Sequence, residues 1–99
     1  MLMKSSKLIA ILKSLSEVEF KMFYKFVRST YFTTSEDVVR LYDYLRKYHP
    51  DFESKRVQKE VVFKKLFPTE RYSDIKLRNL MRKLTRVAED YLLHLETKR

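Results

Sequence analysis

The sequence predicts an all-α fold, a compact bundle of about five helices that ends in a long amphipathic helix. Three observations carry this expectation. Apolar residues recur at i, i+3, i+4 and i+7 along nearly the whole chain, and strand-like alternation is scarce. Helix-start and helix-stop residues punctuate that spacing at intervals suited to short helices. A hydrophobic content of 44% over 99 residues is enough for one modest core, and no internal repeat, low-complexity tract or Gly/Ser linker divides the chain. Residues 1–99 are therefore read as a single helical domain.

The elements follow in order. Leu8, Ile11, Leu12 and Leu15 give the first helix an inward face. Its apolar run, Leu8 to Leu12, stops at Lys13. That is short for a signal peptide and far below the roughly 20 residues that span a bilayer. Ser16-x-x-Glu19 has the form of a capping box, in which serine and glutamate satisfy each other's backbone donors. The helix it opens carries Phe20, Phe23, Tyr24 and Val27 on one face. Ser29 to Thr34 interrupts the spacing and is expected to be an ordered loop that packs at least one of Tyr31 and Phe32 against the helices. Thr34 or Ser35 is expected to cap a third helix, with Glu36 and Asp37 well placed in its first turn and Val38, Leu41, Tyr42 and Leu45 inward. His49-Pro50 stops this helix, and the imidazole is expected at its free carbonyls. A fourth helix runs from about Arg56 to Leu66, with Val57, Val61 and Leu66 inward, and Pro68 ends it. Ser73 begins the last and longest helix, whose apolar stripe is Leu77, Leu80, Met81, Leu84, Ala88, Tyr91, Leu92 and Leu95.

Composition excludes most chemistry with a recognisable signature. No glycine is present, where usage of roughly 7% would give about seven, so phosphate-cradling loops of the Walker or dinucleotide type are ruled out. No cysteine is present, which removes disulfides, thiol nucleophiles and cysteine zinc sites. The two histidines, His49 and His94, lie far apart, and the pairs Glu36-Asp37 and Glu89-Asp90 stand where helix-end preferences explain them. The chain is expected to be non-enzymatic, with no cofactor and no metal.

Charge is the informative property. The formal net charge is +9, and the excess is local. Residues 55–86 hold eleven basic and three acidic side chains, against nine and seven in 1–54 and two and three in 87–99. On the last helix Arg78, Arg82 and Arg86 fall at i, i+4, i+8, with Asn79 and Lys83 beside them and Lys76 in the first turn. A short helix, a turn and a helix with arginine and asparagine outside is the order of parts in a helix-turn-helix reader of DNA, where arginine matches guanine and asparagine matches adenine. The same residues would serve an acidic protein, or simply solvate the helix. Lys76, Arg78, Asn79, Arg82, Lys83 and Arg86 are the candidate binding residues. Tyr31, Tyr44 and Tyr48 fall outside the inward stripes. Tyrosine near lysine can stack on bases, but more often such rings sit at a core edge with the hydroxyl wet.

Arg28-Ser29-Thr30-Tyr31-Phe32, Leu66-Phe67-Pro68 and Lys76-Leu77-Arg78-Asn79-Leu80-Met81 together resemble the amino-terminal helical region of a group of long bacterial proteins of unknown function. The resemblance covers most of residues 14–95, and its motifs are structural ones. An aromatic loop follows a helix rich in Phe and Lys, and an LFP turn precedes a helix opening with LRNLM. Thr30 departs from the pattern, which has proline there, and implies a less rigid loop. The resemblance implies a cytoplasmic helical module at the front of a longer chain and assigns no activity.

Taken together, the expectation is a protein-interaction (adaptor) module with a basic surface at residues 55–86, whose partner is another protein or the following domain of a longer chain. The alternative is a nucleic-acid-binding domain that uses the basic face of the last helix. A membrane-surface role ranks last, because the fold needs the apolar stripe of that helix for itself.

Overall fold

The computed structural model describes residues 7–29, 36–49, 52 and 55–97. Its helices are α1 (Lys7–Ser14), α2 (Glu17–Ser29), α3 (Glu36–Leu45), α4 (Lys59–Leu66) and α5 (Asp74–Thr97), with single 3₁₀ turns at Arg46–Tyr48 and Lys55–Val57. No strand element occurs among the described residues. At 24 residues α5 is the longest, and it touches every other helix. The expected loop at Tyr31 and Phe32 and the cap at Thr34 or Ser35 lie outside the described residues.

Two helix starts form as local chemistry dictates. At α2 the Ser16 N–H donates to Glu19 Oε1 at 2.9 Å and the Glu19 N–H donates to Ser16 Oγ at 3.1 Å, a complete capping box. At α5 the Lys76 N–H donates to Ser73 Oγ at 3.2 Å and the Leu77 N–H to the Ser73 carbonyl at 3.1 Å. With its start fixed, α5 buries Leu77, Leu80, Met81, Leu84, Ala88 and Tyr91, and also Val87, which continues the Leu80–Leu84 stripe. Leu92 and Leu95 pack half-buried at the edge of the core.

The core is aromatic where α2, α3 and α5 meet. Tyr42 of α3 lies edge-on to Phe23 at 5.1 Å and tilted on Phe20 at 5.5 Å, while Tyr91 of α5 stacks on Phe23 at 4.9 Å. Both hydroxyls find backbone acceptors on consecutive residues of α2. Tyr42 donates to the Phe20 carbonyl at 2.9 Å and Tyr91 to the Glu19 carbonyl at 2.7 Å. Burial pushes both hydroxyls up from their ordinary pKa, so they stay protonated as donors.

Four expectations change. On α1, Ile9 is fully buried and Ile11 only partly, because the helix presses on α5 through Leu8, Ile9 and Leu12. Tyr24 is half-buried, with the guanidinium groups of Arg28 and Arg46 at 4.8 and 4.9 Å from its ring centre. His49 does not serve the end of its own helix with its ring. Its Nε2 lies 3.1 Å from the Leu15 carbonyl, beyond the end of α1, and the imidazole stacks on Phe20 at 4.1 Å. Finally, α4 is rotated from its expected phase. Val61 is 40% exposed, while Val62, Phe63 and Leu66 are buried. The reason is that Lys55–Val57 is a 3₁₀ turn and Gln58 is extended (φ −92°, ψ 144°), so the four-residue step from Val57 to Val61 does not run along one α-helix.

One connection carries strain. Phe52 has φ of 53°, in the left-handed region that a bulky side chain disfavours, at a cost of about 1–3 kcal/mol. Its ring is fully buried, edge-on to His49 at 6.0 Å. Burying a phenylalanine returns about 1.5–3 kcal/mol, enough to hold the backbone there.

Candidate interaction surface

The solvent face of α5 holds all six candidate residues, in two electrostatic states. At the front the cations are paired. Lys76 Nζ lies 2.7 Å from Glu70 Oε1 and sits 4.1 Å from the centre of the Phe67 ring. Arg78 reaches Asp74 Oδ2 at 3.3 Å. Asp74 is also the acceptor for the Tyr72 hydroxyl at 3.0 Å and lies 3.4 Å from Lys59 Nζ. The Tyr72 hydrogen bond first, then Arg78 and Lys59, hold the Asp74 carboxyl below its ordinary value, so it stays ionised as their anchor.

One turn further on the cations are open. Arg82, Lys83 and Arg86 are exposed and have no carboxylate partner among the described residues. Asn79 and Lys83 share a cleft of about 240 Å³ with Lys76, Leu80, Phe67 and Asp37, while Arg78, Arg82 and Arg86 fall on the parallel i, i+4 row. The six residues thus split into two rows along one helix.

This geometry bears on the helix-turn-helix expectation. A recognition helix reads base edges with its first turns, across a turn of three or four residues. Here seven residues separate Leu66 from Asp74, and the first-turn cations are held by Glu70 and Asp74. The free charge lies in the middle of the helix, where it suits a broad anionic surface better than base edges.

The basic surface expected over residues 55–86 divides in two, and its α4 part forms a separate face. With Val61 pointing outward, Lys64 and Lys65 share its exposed row at i+3 and i+4, and they line a groove with Lys47, Arg56, Tyr44 and Tyr48. Had Val61 faced inward, Lys64 and Lys65 would have flanked the core. The available signal was the pair Val62-Phe63, which fits an inward face if α4 starts after Gln58.

Among the described residues no group of three His, Asp or Glu side chains is placed to hold a metal ion, and no described helix is long and apolar enough to cross a membrane. His94 is exposed beside Phe26, its ring centre 5.6 Å away. Comparison of the chain with protein-family models, with curated proteins and with solved structures returned no match.

Proposed function

We propose that the chain is a non-enzymatic protein-interaction module that receives an acidic surface on the middle of α5. The partner is another protein or the following domain of a longer chain, in the cytoplasm. The observation that supports this reading is the contrast along one helix, in which Lys76 and Arg78 are neutralised from within while Arg82, Lys83 and Arg86 are not. Exposed ion pairs contribute only about 0.2–1 kcal/mol each, so three such contacts guide and orient a partner rather than hold it alone. The ridge accordingly acts with a larger contact area.

Nucleic acid is the second reading, favoured by the density of Arg82, Lys83 and Arg86 beside Asn79. Titration with poly-L-glutamate and with a random duplex, as a function of salt, separates the two. The interaction-module reading expects duplex binding no tighter than the nonspecific 10⁻⁴–10⁻⁶ M range at physiological salt, and weaker poly-L-glutamate binding in the Arg82→Gln/Arg86→Gln variant. Duplex affinity tighter than about 10⁻⁷ M, with a salt slope that falls by about two units in that variant, would replace it with the second reading.

A further inference from the structure

The groove beside α4 has a chemistry distinct from the α5 ridge. It is an open cleft of about 530 Å³ between the end of α3 with its 3₁₀ turn and the outer face of α4, from Glu60 to Lys65. Its floor is aromatic. Tyr44 is 7% exposed, and its hydroxyl donates to the Arg56 carbonyl at 2.7 Å, tying α3 to the Lys55–Val57 turn. Tyr48 is half-buried, its ring centre 5.6 Å from that of Tyr44 with the planes at 50°. Burial first, and then Tyr48, push the Tyr44 hydroxyl up to about 12. Val61 adds an exposed aliphatic wall. Around this apolar centre stand Lys47, Arg56, Lys64 and Lys65, with Glu60 as the one carboxylate of the lining among the described residues. Lys47, Lys64 and Lys65 have no ion-pair partner among the described residues.

An apolar centre within a charged rim is the usual anatomy of a docking site. The rim selects for a polyanion, and the centre decides which kind. Binding of single strands uses open aromatic faces on which successive bases stack. Here Tyr44 is closed off, the two rings are tilted apart, and the remaining wall is aliphatic. That shape takes one side chain rather than a stack of bases. We propose that the groove seats an acidic peptide segment of a partner protein, with one aliphatic side chain against Tyr48 and Val61 and carboxylates reaching Lys47, Lys64 and Lys65. The proposal rests on the reading of the chain as a protein-interaction module, and it names a second contact area beside the α5 ridge.

The test uses fluorescence anisotropy with the full chain and three probes. These are an acetylated nonapeptide with acidic residues on both sides of a central leucine, the same peptide with serine at the centre, and a short oligothymidylate. The leucine peptide is expected to bind best. Its affinity should fall about 2- to 30-fold in Lys64→Gln/Lys65→Gln, the loss of two exposed ion pairs. Serine for leucine should weaken it about 10-fold through the lost apolar burial. Both lysines are exposed, and an unchanged thermal melt of the variant confirms an intact fold. Peptide binding that survives Lys64→Gln/Lys65→Gln but is lost in Arg82→Gln/Arg86→Gln overturns the groove and leaves the module reading standing. Equal affinity for the leucine and serine peptides overturns the apolar anchor and with it the proposal. Oligothymidylate binding tighter than either peptide overturns both the groove's assigned occupant and the module reading, and absence of peptide binding to the native chain overturns the proposal outright.

Discussion

Helices α4 and α5 are separated by seven residues, yet they are held in opposite ways. The start of α5 is fixed by the Ser73 hydroxyl within its own first turn, whereas α4 follows Gln58, which makes no side-chain bond to the helix it precedes. α4 is fixed at its other end instead. Arg40, from α3, donates to the Leu66 carbonyl at 2.6 Å, and the Phe63 ring lies between Phe67 at 5.1 Å and Tyr72 at 5.3 Å. The first-turn cations of α5 are paired with Glu70 and Asp74, but Lys64 and Lys65 of α4 are open. A long helix with its own cap sets its own phase and presents its neighbours with a finished stripe. A two-turn helix without one takes its phase from what it packs on, and so takes its exposed row from there as well.

Three measurements break or sharpen this contrast. The largest effect is expected at Leu84, fully buried at the centre of α5. Leu84→Ala should destabilise the chain by about 2–5 kcal/mol in urea unfolding, and a loss below about 1 kcal/mol would place the wrong face of α5 inward. The next is a neighbouring pair on α4. Val62→Ala should cost about 1.5–3 kcal/mol, since Val62 is fully buried, while Val61→Ala should stay within about 0.5 kcal/mol. A larger loss at Val61 than at Val62 would mean that α4 has the phase read from Val57. The smallest effect concerns the anchor of the α5 start. The Asp74 carboxyl lies below its ordinary value of 3.8, so its contribution to stability is complete above that value and is lost as pH falls through the depressed one. Its carboxyl resonance should titrate with a midpoint below 3.8, and Asp74→Asn should flatten the acid limb of stability. A midpoint at or above 3.8 would remove the ion-pair and hydrogen-bond anchor from the account.

The same physics divides what was legible in the residues from what was not. The number of helices, the capping box at Ser16 and Glu19, the start at Ser73 and the inward stripe of α5 from Leu77 to Tyr91 all follow from interactions three or four positions apart. The outer row Arg78, Arg82 and Arg86 was legible for the same reason, because a fixed stripe fixes the opposite face. The decisions that remained join distant positions. Arg40 meets the Leu66 carbonyl across 26 positions, His49 meets the Leu15 carbonyl across 34, and Tyr91 meets the Glu19 carbonyl across 72. Such bonds leave no periodic trace, since any arginine, histidine or tyrosine near a helix end could make them. The residues by themselves determined an all-α chain with its longest helix last and a cationic outer face. The tertiary structure alone decided the rotation of α4, and with it that Val61, Lys64 and Lys65 stand together around an aromatic floor. It also decided that, of the six residues expected to bind, Lys76 and Arg78 are already paired within the fold.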